Sequence, residues 1–197
     1  MSPNDYTPAT ETDYLFAEDM APAVRKSAVL SDESPEPVYR YVLERWWCDP
    51  SAFLQRPATF VMLNPSTADA FENDPTIERV ERRAGEYGFG GFIVSNLFGF
   101  RSTEPVGLRT VPNHFHAIND GFILSAAEEC QAAGGQTVCA WGSHTMLGLL
   151  LEARAAHVVK LLREAGIKLH ALRSCQNGQP GHPLYVPYEI KPTEWLP

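Results

Sequence analysis

Three short apolar segments, each followed by a segment with helical character, constrain the fold of this chain most strongly. They read ATFVMLN (58–64), GGFIVSN (90–96) and QTVCAWG (136–142). Each is too apolar along both faces to border solvent, which is typical of inner strands in a sheet that is covered on both sides. The alternation of strand and helix predicts an α/β protein, a three-layer α/β/α sandwich with a mainly parallel central sheet.

Capping residues predict where the intervening helices begin and end. Asp74 and Pro75 suit the first turn of a helix, and Gly88 lies where its C-terminal cap would fall. A fourth strand is expected in GIKLHALR (166–173). The other expected helix boundaries are Asn119 or Asp120, Gly134 with Gly135, Ser143, and about Ala165.

The first part of the chain differs in composition from the rest. Residues 1–25 are polar and rich in proline, which predicts a loosely held lead-in. Residues 26–197 are expected to form a single α/β domain, because their number suits one hydrophobic core. Within them, the segment from Val38 to Trp46 alternates as a half-buried strand does.

Composition and charge limit the classes of function. The net charge of -8 argues against a protein that coats nucleic acid by bulk attraction, although a local basic patch is compatible with it. No apolar run approaches the roughly 18 residues that span a bilayer, and no secretory signal pattern opens the chain. We therefore expect a cytoplasmic protein without a membrane partner. The four cysteines lack CxxC spacing, so they are expected to be reduced thiols, two of them in the core, and no metal or cofactor is expected.

Polar residues stand at the ends of the predicted inner strands. Asn64 and Asn96 end the first two, Ser143 follows the third, and His182 lies in the loop after the fourth. The carboxyl ends of parallel strands share one edge, where ligands bind in such folds. An amide can both donate and accept, which suits it to read a nucleobase edge or hold a water. Histidine can carry a proton or stabilise negative charge.

Four motifs carry a resemblance to a known superfamily. MLNPST, SNLFGFRS, CAWGSHT and GHPLY fall in the order and spacing of the signature segments of the uracil-DNA glycosylase superfamily, over roughly residues 36–190. The Asn-Pro pair is similar to its mismatch-specific branch. NPSTAD, DPTI and HPLY together also resemble a family of uncharacterised bacterial and phage proteins.

The resemblance implies a uracil-DNA-glycosylase-like fold and an enzyme that acts on the base–sugar bond of a uracil or a modified or mismatched pyrimidine. The implied partner is nucleic acid, as single-stranded or damaged or modified DNA, or a pyrimidine nucleotide. Asn64 would position the attacking water, Asn96 would bind the base edge, and His182 would support the charge on the departing base. The remaining residues expected at the base are Pro65, Ser66, Phe98 and Ser143. Independently of the resemblance, Arg101, Ser102 and Arg109 follow the second strand end and are expected at phosphate or backbone, with surface ion pairs as the structural alternative for the two arginines.

Departures from the superfamily pattern favour a second hypothesis. Asn64 cannot act as a general base, which implies slow chemistry or a labile bond. Ser66 replaces an expected large residue and leaves room beside the 5-position of a pyrimidine. The loop after His182 lacks the apolar wedge that active relatives push into a duplex. A binding module that recognises a nucleobase, nucleotide or nucleic acid without cleaving it is the alternative.

Purely structural roles are open for the same residues. Asn64 would then form a turn before Pro65, Asn96 would cap the next segment, and His182 would tether a rigid loop. Trp141 would be a packing residue and His144 an ordinary core or surface histidine. The arginines of the first helix, Arg79, Arg82 and Arg83, would form a solvated face. A third hypothesis is a metal-assisted phosphoesterase that uses Asp69, Asp74 and Asp120.

Overall fold

A computed structural model of the chain describes residues 25–30, 38–47, 56–111 and 117–197. The predicted lead-in therefore lies outside the described residues except for Arg25. Cys48 also lies outside them. The strands are β1 (Arg25–Leu30), β2 (Arg40–Trp46), β3 (Pro57–Met62), β4 (Gly91–Asn96), β5 (Gln136–Cys139), β6 (Leu169–Ala171) and β7 (Thr193–Glu194). The helices are α1 (Pro75–Glu86), α2 (Ala117–Ala132) and α3 (Leu149–Glu164), with 3₁₀ helices at Pro105–Thr110 and Pro183–Tyr185.

The seven strands form one mixed sheet in the order β1-β2-β4-β3-β5-β6-β7. The central strands β4, β3, β5 and β6 are parallel to one another. The outer strands β1, β2 and β7 pair antiparallel. The α/β class is thus confirmed, but the sheet is mixed rather than mainly parallel. The parallel prediction came from the buried central runs, and antiparallel strands added at the edges of such sheets are common.

Helices cover both faces of the sheet. On one face, Val80 of α1 packs in a cluster with Phe60 and Phe92. On the other, Ile123 of α2 and Val158 of α3 pack in a cluster with Val61. The pleat explains this division, because successive residues of a strand point to opposite faces. As predicted for two of the cysteines, Cys130 and Cys139 are buried in the core. No helix in the described ranges is long and apolar enough to cross a bilayer.

Strand β2 is buried on both faces, where the alternating pattern predicted only one. Arg40 is 2% exposed and Arg45 is fully buried. Arg45 donates hydrogen bonds to the carbonyl oxygens of Asp69, Ala70 and Glu72 and to the side chain of Asn73. Arg40 donates to the carbonyl oxygen of Ala68. The expected solvent face of this strand therefore binds loop 64–73, which leads from β3 to α1.

One of the three predicted helix starts is confirmed, and the other two are wrong. Asp74 caps α1, because its Oδ1 accepts the N–H groups of Thr76 and Ile77 at 2.9 Å. Helix α2 begins at Ala117, so Asn119 and Asp120 lie within its first turn and do not cap it. Helix α3 begins at Leu149, and the Ser143 hydroxyl instead accepts a hydrogen bond from Asn177 at 2.9 Å. At the helix ends, Gly88 and Gly134 adopt the positive φ of C-terminal caps.

Of the three arginines of α1, only Arg82 lies on a solvated face, where it pairs with Glu86. Arg83 is fully buried and donates to the carbonyl oxygens of Val186 and Pro187. Arg79 donates to those of Pro183 and Val186 at 3.0 Å. The ring of Tyr188 lies 4.3 to 5.1 Å from the guanidinium groups of Arg79, Arg82 and Arg83. Helix α1 therefore fixes the segment that follows His182.

Candidate functional site

A cavity of about 240 Å³ lies beyond the carboxyl ends of β3 and β4. It is smaller than the roughly 300–1,000 Å³ of pockets for drug-sized ligands, so it suits a single small ring. Each of the four motifs named in the sequence contributes to its wall, the CAWGSHT motif through His144 alone. The lining residues that carry functional groups include Arg40, Asn64, Ser66, Asp74, Asn96, Ser102, His144, His182 and Tyr185.

Asn64 is half-buried, and its amide nitrogen is fully used by backbone partners. Nδ2 donates to the carbonyl oxygen of Ser102 at 2.7 Å and to that of Pro65 at 2.9 Å. Ser102 belongs to a different loop, so the contact is more than a local turn before Pro65. No group in the described ranges donates to Oδ1 of Asn64. The side chain thus offers the cavity an acceptor and no donor.

Asn96 ends β4 and is 1% exposed. Its Nδ2 is buried without a hydrogen-bond partner among the described residues. Its main-chain carbonyl accepts a hydrogen bond from the side chain of Asn119 in α2 at 2.9 Å. A buried donor without a partner costs about 1–3 kcal/mol, so an acceptor within reach of Nδ2 would stabilise this arrangement.

His182 is held in one tautomer. Its Nδ1 accepts a hydrogen bond from the main-chain N–H of Leu184 at 3.2 Å. Burial, with a smaller contribution from the nearby His144 and against the opposing effect of Asp74, lowers the pKa of the ring to about 4. The ring is therefore neutral near pH 7 and carries its proton on Nε2, so it is a hydrogen-bond donor at the cavity.

His144, for which an ordinary core or surface role was open, also lines the cavity. Its Nε2 donates to the carbonyl oxygen of Trp141 at 3.0 Å, and burial lowers its pKa. In the neutral ring Nδ1 is then an acceptor. Gly142 lies between the two histidines and has a φ of 77°. A Cβ at this position would lie 3.0 Å from His182 Cβ and 3.3 Å from His144 Nε2. The sequence signal for His144 was its place two residues after this glycine.

Two charged residues on the cavity wall were not predicted there. Burial lowers the pKa of Arg40 to about 10, and Asp74 partly offsets that effect, so Arg40 is charged at neutral pH. Arg40 Nε is buried and unpartnered within the described ranges. Arg40 was missed because it lies on a strand expected to be half in solvent. Asp74 was recognised only as a helix cap.

Three residues predicted at the base lie elsewhere. Phe98 is 3% exposed and packs in the core on the side of α2 and α3, so it cannot stack on a ligand in the cavity. Ser143 is exposed and contacts Asn177 outside the cavity. Pro65 is buried behind Asn64 and does not line the cavity. Of this group, only Ser66 reaches the cavity wall.

The predicted phosphate contacts are also divided. Ser102 lines the cavity, and its hydroxyl donates to the carbonyl oxygen of Glu104 at 2.7 Å. Arg101 is half-buried beside it, with Nε 3.4 Å from the carbonyl oxygen of Ser66. Arg109 is exposed and lines a separate hollow with residues 145–150.

The three aspartates of the phosphoesterase hypothesis do not come together. Asp74 caps α1, whereas Asp120 lies on α2, on the opposite face of the sheet, where it pairs with Arg154 and His157. Asp69 accepts the N–H groups of Phe71 and Glu72, and these bonds lower its pKa. In the described part of the chain, no group of three or more His, Cys, Asp or Glu is arranged to hold a metal ion.

Comparison with known proteins places the chain by its sequence. No curated protein and no solved structure matches it. Residues 40–184, which span every cavity residue named above except Tyr185, match one family. The chain belongs to this family, which is described as "Protein of unknown function (DUF1643)".

Proposed function

We propose that this protein is uracil-DNA-glycosylase-like in fold and acts on the base–sugar bond of a uracil or a modified or mismatched pyrimidine in nucleic acid. One observation carries the proposal. Asn64, Asn96 and His182, which the superfamily resemblance assigns to water, base edge and leaving group, line one small cavity. The parallel central strands with helices on both faces are compatible with that fold.

The groups on the cavity wall suit the charge that develops in this reaction. Cleavage of an N-glycosidic bond leaves an electron pair on the base and a cation-like sugar, so the site needs preorganised donors for the base. Neutral His182 offers Nε2–H, and Asn96 offers its unpartnered Nδ2. The buried positive charge of Arg40 adds to the stabilisation of an anion.

The acceptor of Asn64 suits a water at the anomeric carbon. Its amide nitrogen is occupied by two carbonyl oxygens, so the orientation of Oδ1 is fixed. Oδ1 can orient a water but cannot take its proton at neutral pH. We therefore propose slow cleavage, or cleavage of a bond that is already labile.

The size of the cavity bears on the substrate. A volume of about 240 Å³ admits one ring, so a base in nucleic acid must be unpaired or flipped out to enter. The small side chain of Ser66 on the wall leaves space for a substituent on the ring. A 5-substituted pyrimidine is thus a better candidate than strictly unsubstituted uracil.

The test is the formation of abasic sites in single- and double-stranded oligonucleotides that carry uracil, mismatched or 5-substituted pyrimidines. We expect cleavage by the wild type, and a loss of about 10²–10³-fold in rate for His182→Phe, which removes one donor. Asn64→Ala should also slow the reaction. Ser143→Ala is the control, because this hydroxyl bonds Asn177 outside the cavity. The absence of abasic sites, or wild-type rates in Asn64→Ala, would contradict the proposal.

A second candidate is a module that binds a nucleobase or nucleotide without cleaving it. The observation that favours it is the amide nitrogen of Asn64, which binds two carbonyl oxygens, so that this side chain ties two loops together and cannot act as a base. Calorimetric titration with nucleosides and oligonucleotides distinguishes the two. Base-dependent binding with no turnover, weakened by a substitution of Asn96, would favour the binding module.

A further inference from the structure

Tyr185 is an aromatic residue on the cavity wall that is largely exposed to solvent. It lines the cavity, yet 69% of the residue is exposed. Its ring centre lies 5.6 Å from that of His182, with 43° between the two planes. The hydrophobic clusters of the described residues do not include it. Tyr185 therefore stands at the mouth of the cavity and does not stabilise the core.

The main chain around Tyr185 is fixed by several contacts. Its N–H donates to the carbonyl oxygen of His182 at 3.0 Å. Pro183 restricts the same 3₁₀ turn, and its carbonyl oxygen accepts a hydrogen bond from Arg79 of α1 at 3.0 Å. An aromatic side chain on a fixed turn loses little conformational freedom when it binds, which favours a role in recognition.

The position of Tyr185 constrains what the base in the cavity is attached to. The cavity admits one ring, so the rest of the ligand must leave through the mouth, where this aromatic face is exposed. An exposed aromatic face binds unpaired nucleobases by stacking, whatever their sequence. A base inside an intact duplex is already stacked on its neighbours and is not available. Free nucleosides have no second base to offer.

We propose that Tyr185 forms a stacking subsite for the nucleobase next to the one in the cavity, so that the ligand is an unpaired stretch of nucleic acid. This inference rests on the proposed function, which supplies the nucleic acid. The net charge of -8 opposes bulk attraction to phosphates, so affinity for such a strand must come from specific contacts of this kind.

The experiment compares three probes by calorimetry or fluorescence anisotropy. They are 2′-deoxyuridine, a short single-stranded oligonucleotide with a central uracil on a 2′-fluoro sugar that resists cleavage, and the same oligonucleotide with abasic neighbours. We expect the wild type to bind the intact strand most tightly. Tyr185→Ala should weaken that binding by about five- to 150-fold. It should weaken the binding of deoxyuridine, and of the strand with abasic neighbours, by a clearly smaller factor, because these probes offer no second base. Tyr185→Phe should retain the affinity of the wild type.

Phe71→Ala is the matched control, because Phe71 is also a highly exposed aromatic residue, at 77%, but does not line the cavity. It should bind all probes as the wild type does. Equal binding of the intact strand by Tyr185→Ala and wild type would overturn the subsite alone. The subsite would also be overturned if Tyr185→Ala lost as much affinity for deoxyuridine as for the intact strand, or if the wild type bound duplex as tightly as single strand. If the wild type bound neither nucleoside nor oligonucleotide, with uracil or with 5-hydroxymethyluracil in the same position, the subsite and the proposed function would both be overturned.

Discussion

The side-chain amide of Asn64 donates to the carbonyl oxygen of Ser102 at 2.7 Å and so joins the loop after β3 to the loop after β4. The same nitrogen donates to the carbonyl oxygen of Pro65, which also accepts the main-chain N–H of Ser102 at 2.9 Å. Two loops that wall the cavity are therefore tied at one point. An asparagine after β3 meets both needs. Its Nδ2 supplies the donor that ties the two loops, and its Oδ1 remains as an acceptor for the cavity.

Asn64→Asp should lower the free energy of unfolding by about 1–3 kcal/mol at pH 7, because a carboxylate cannot donate and would face two carbonyl oxygens. These oxygens favour the protonated form of the new carboxyl group, so its pKa should rise on folding. The loss should then become smaller as the pH falls and the group can donate again. Urea unfolding at pH 7 and pH 5 measures both effects.

The control for this substitution is Asn177→Asp. Asn177 is exposed, and its amide donates to a single hydroxyl, that of Ser143. Its replacement should change the free energy of unfolding by no more than about 0.5 kcal/mol. Equal effects at both positions would mean that the tie between the loops contributes nothing particular to stability.

Stability should depend on pH through His182. An unfolded histidine has a pKa of about 6.5, whereas burial lowers that of His182 to about 4 in the folded protein. The unfolded chain therefore binds a proton first as the pH falls. The contribution to stability is complete above pH 6.5 and is lost between about pH 6.5 and pH 4, by up to about 3 kcal/mol.

Urea unfolding of the wild type and His182→Asn over this pH range checks the effect. The asparagine oxygen can still accept the N–H of Leu184, so the turn is retained while the titrating group is removed. The difference in unfolding free energy between the two proteins should rise with pH and level off near pH 6.5. A difference that does not change with pH would show that His182 is not buried in its neutral form.

The sequence predicted those parts of the fold that depend on local pattern. The apolar runs of β3, β4 and β5 marked the central strands, and Asp74 marked the start of α1. The placement of Asn64, Asn96 and His182 at one cavity followed from the rule that parallel strands end at a common edge.

The parts that could not be predicted depend on contacts between distant segments. Arg40, Arg45 and Arg83 are buried because main-chain carbonyl oxygens from distant loops surround them, and arginine is rarely buried without such partners. The place of His144 on the cavity wall depends on the turn at Gly142, which brings it beside His182. The sequence also could not predict that the side chain of Phe98 packs in the core with α2 and α3 and not at the cavity.

Arg83→Lys should lower the free energy of unfolding by about 1.5–3 kcal/mol. The guanidinium group donates to the carbonyl oxygens of Val186 and Pro187 and to the hydroxyl of Tyr87, a set that the three donors of a lysine on a differently shaped stem cannot reproduce. Arg82→Lys is the control. The ring of Tyr188 lies beside Arg82 as well as Arg83, but Arg82 is half exposed and pairs with Glu86. This control substitution should change stability by about 0.5 kcal/mol at most, and equal losses in the two variants would contradict the assigned anchoring role of Arg83.

Gly142→Ala should be more damaging than its backbone conformation alone explains. Gly142 and Gly178 share a φ of 77°, so alanine at either position carries the same cost of roughly 1–2 kcal/mol for a left-handed conformation. Nothing lies within 4 Å of a Cβ at Gly178, whereas one at Gly142 would lie 3.0 Å from the Cβ of His182. The additional loss of unfolding free energy in Gly142→Ala over Gly178→Ala therefore measures this contact. Because the contact displaces His182, Gly142→Ala should also shift the NMR titration of the His182 ring. Gly178→Ala should leave that titration unchanged. Equal losses of stability in the two variants, with no shift in the titration, would show that the turn at Gly142 has room for a side chain.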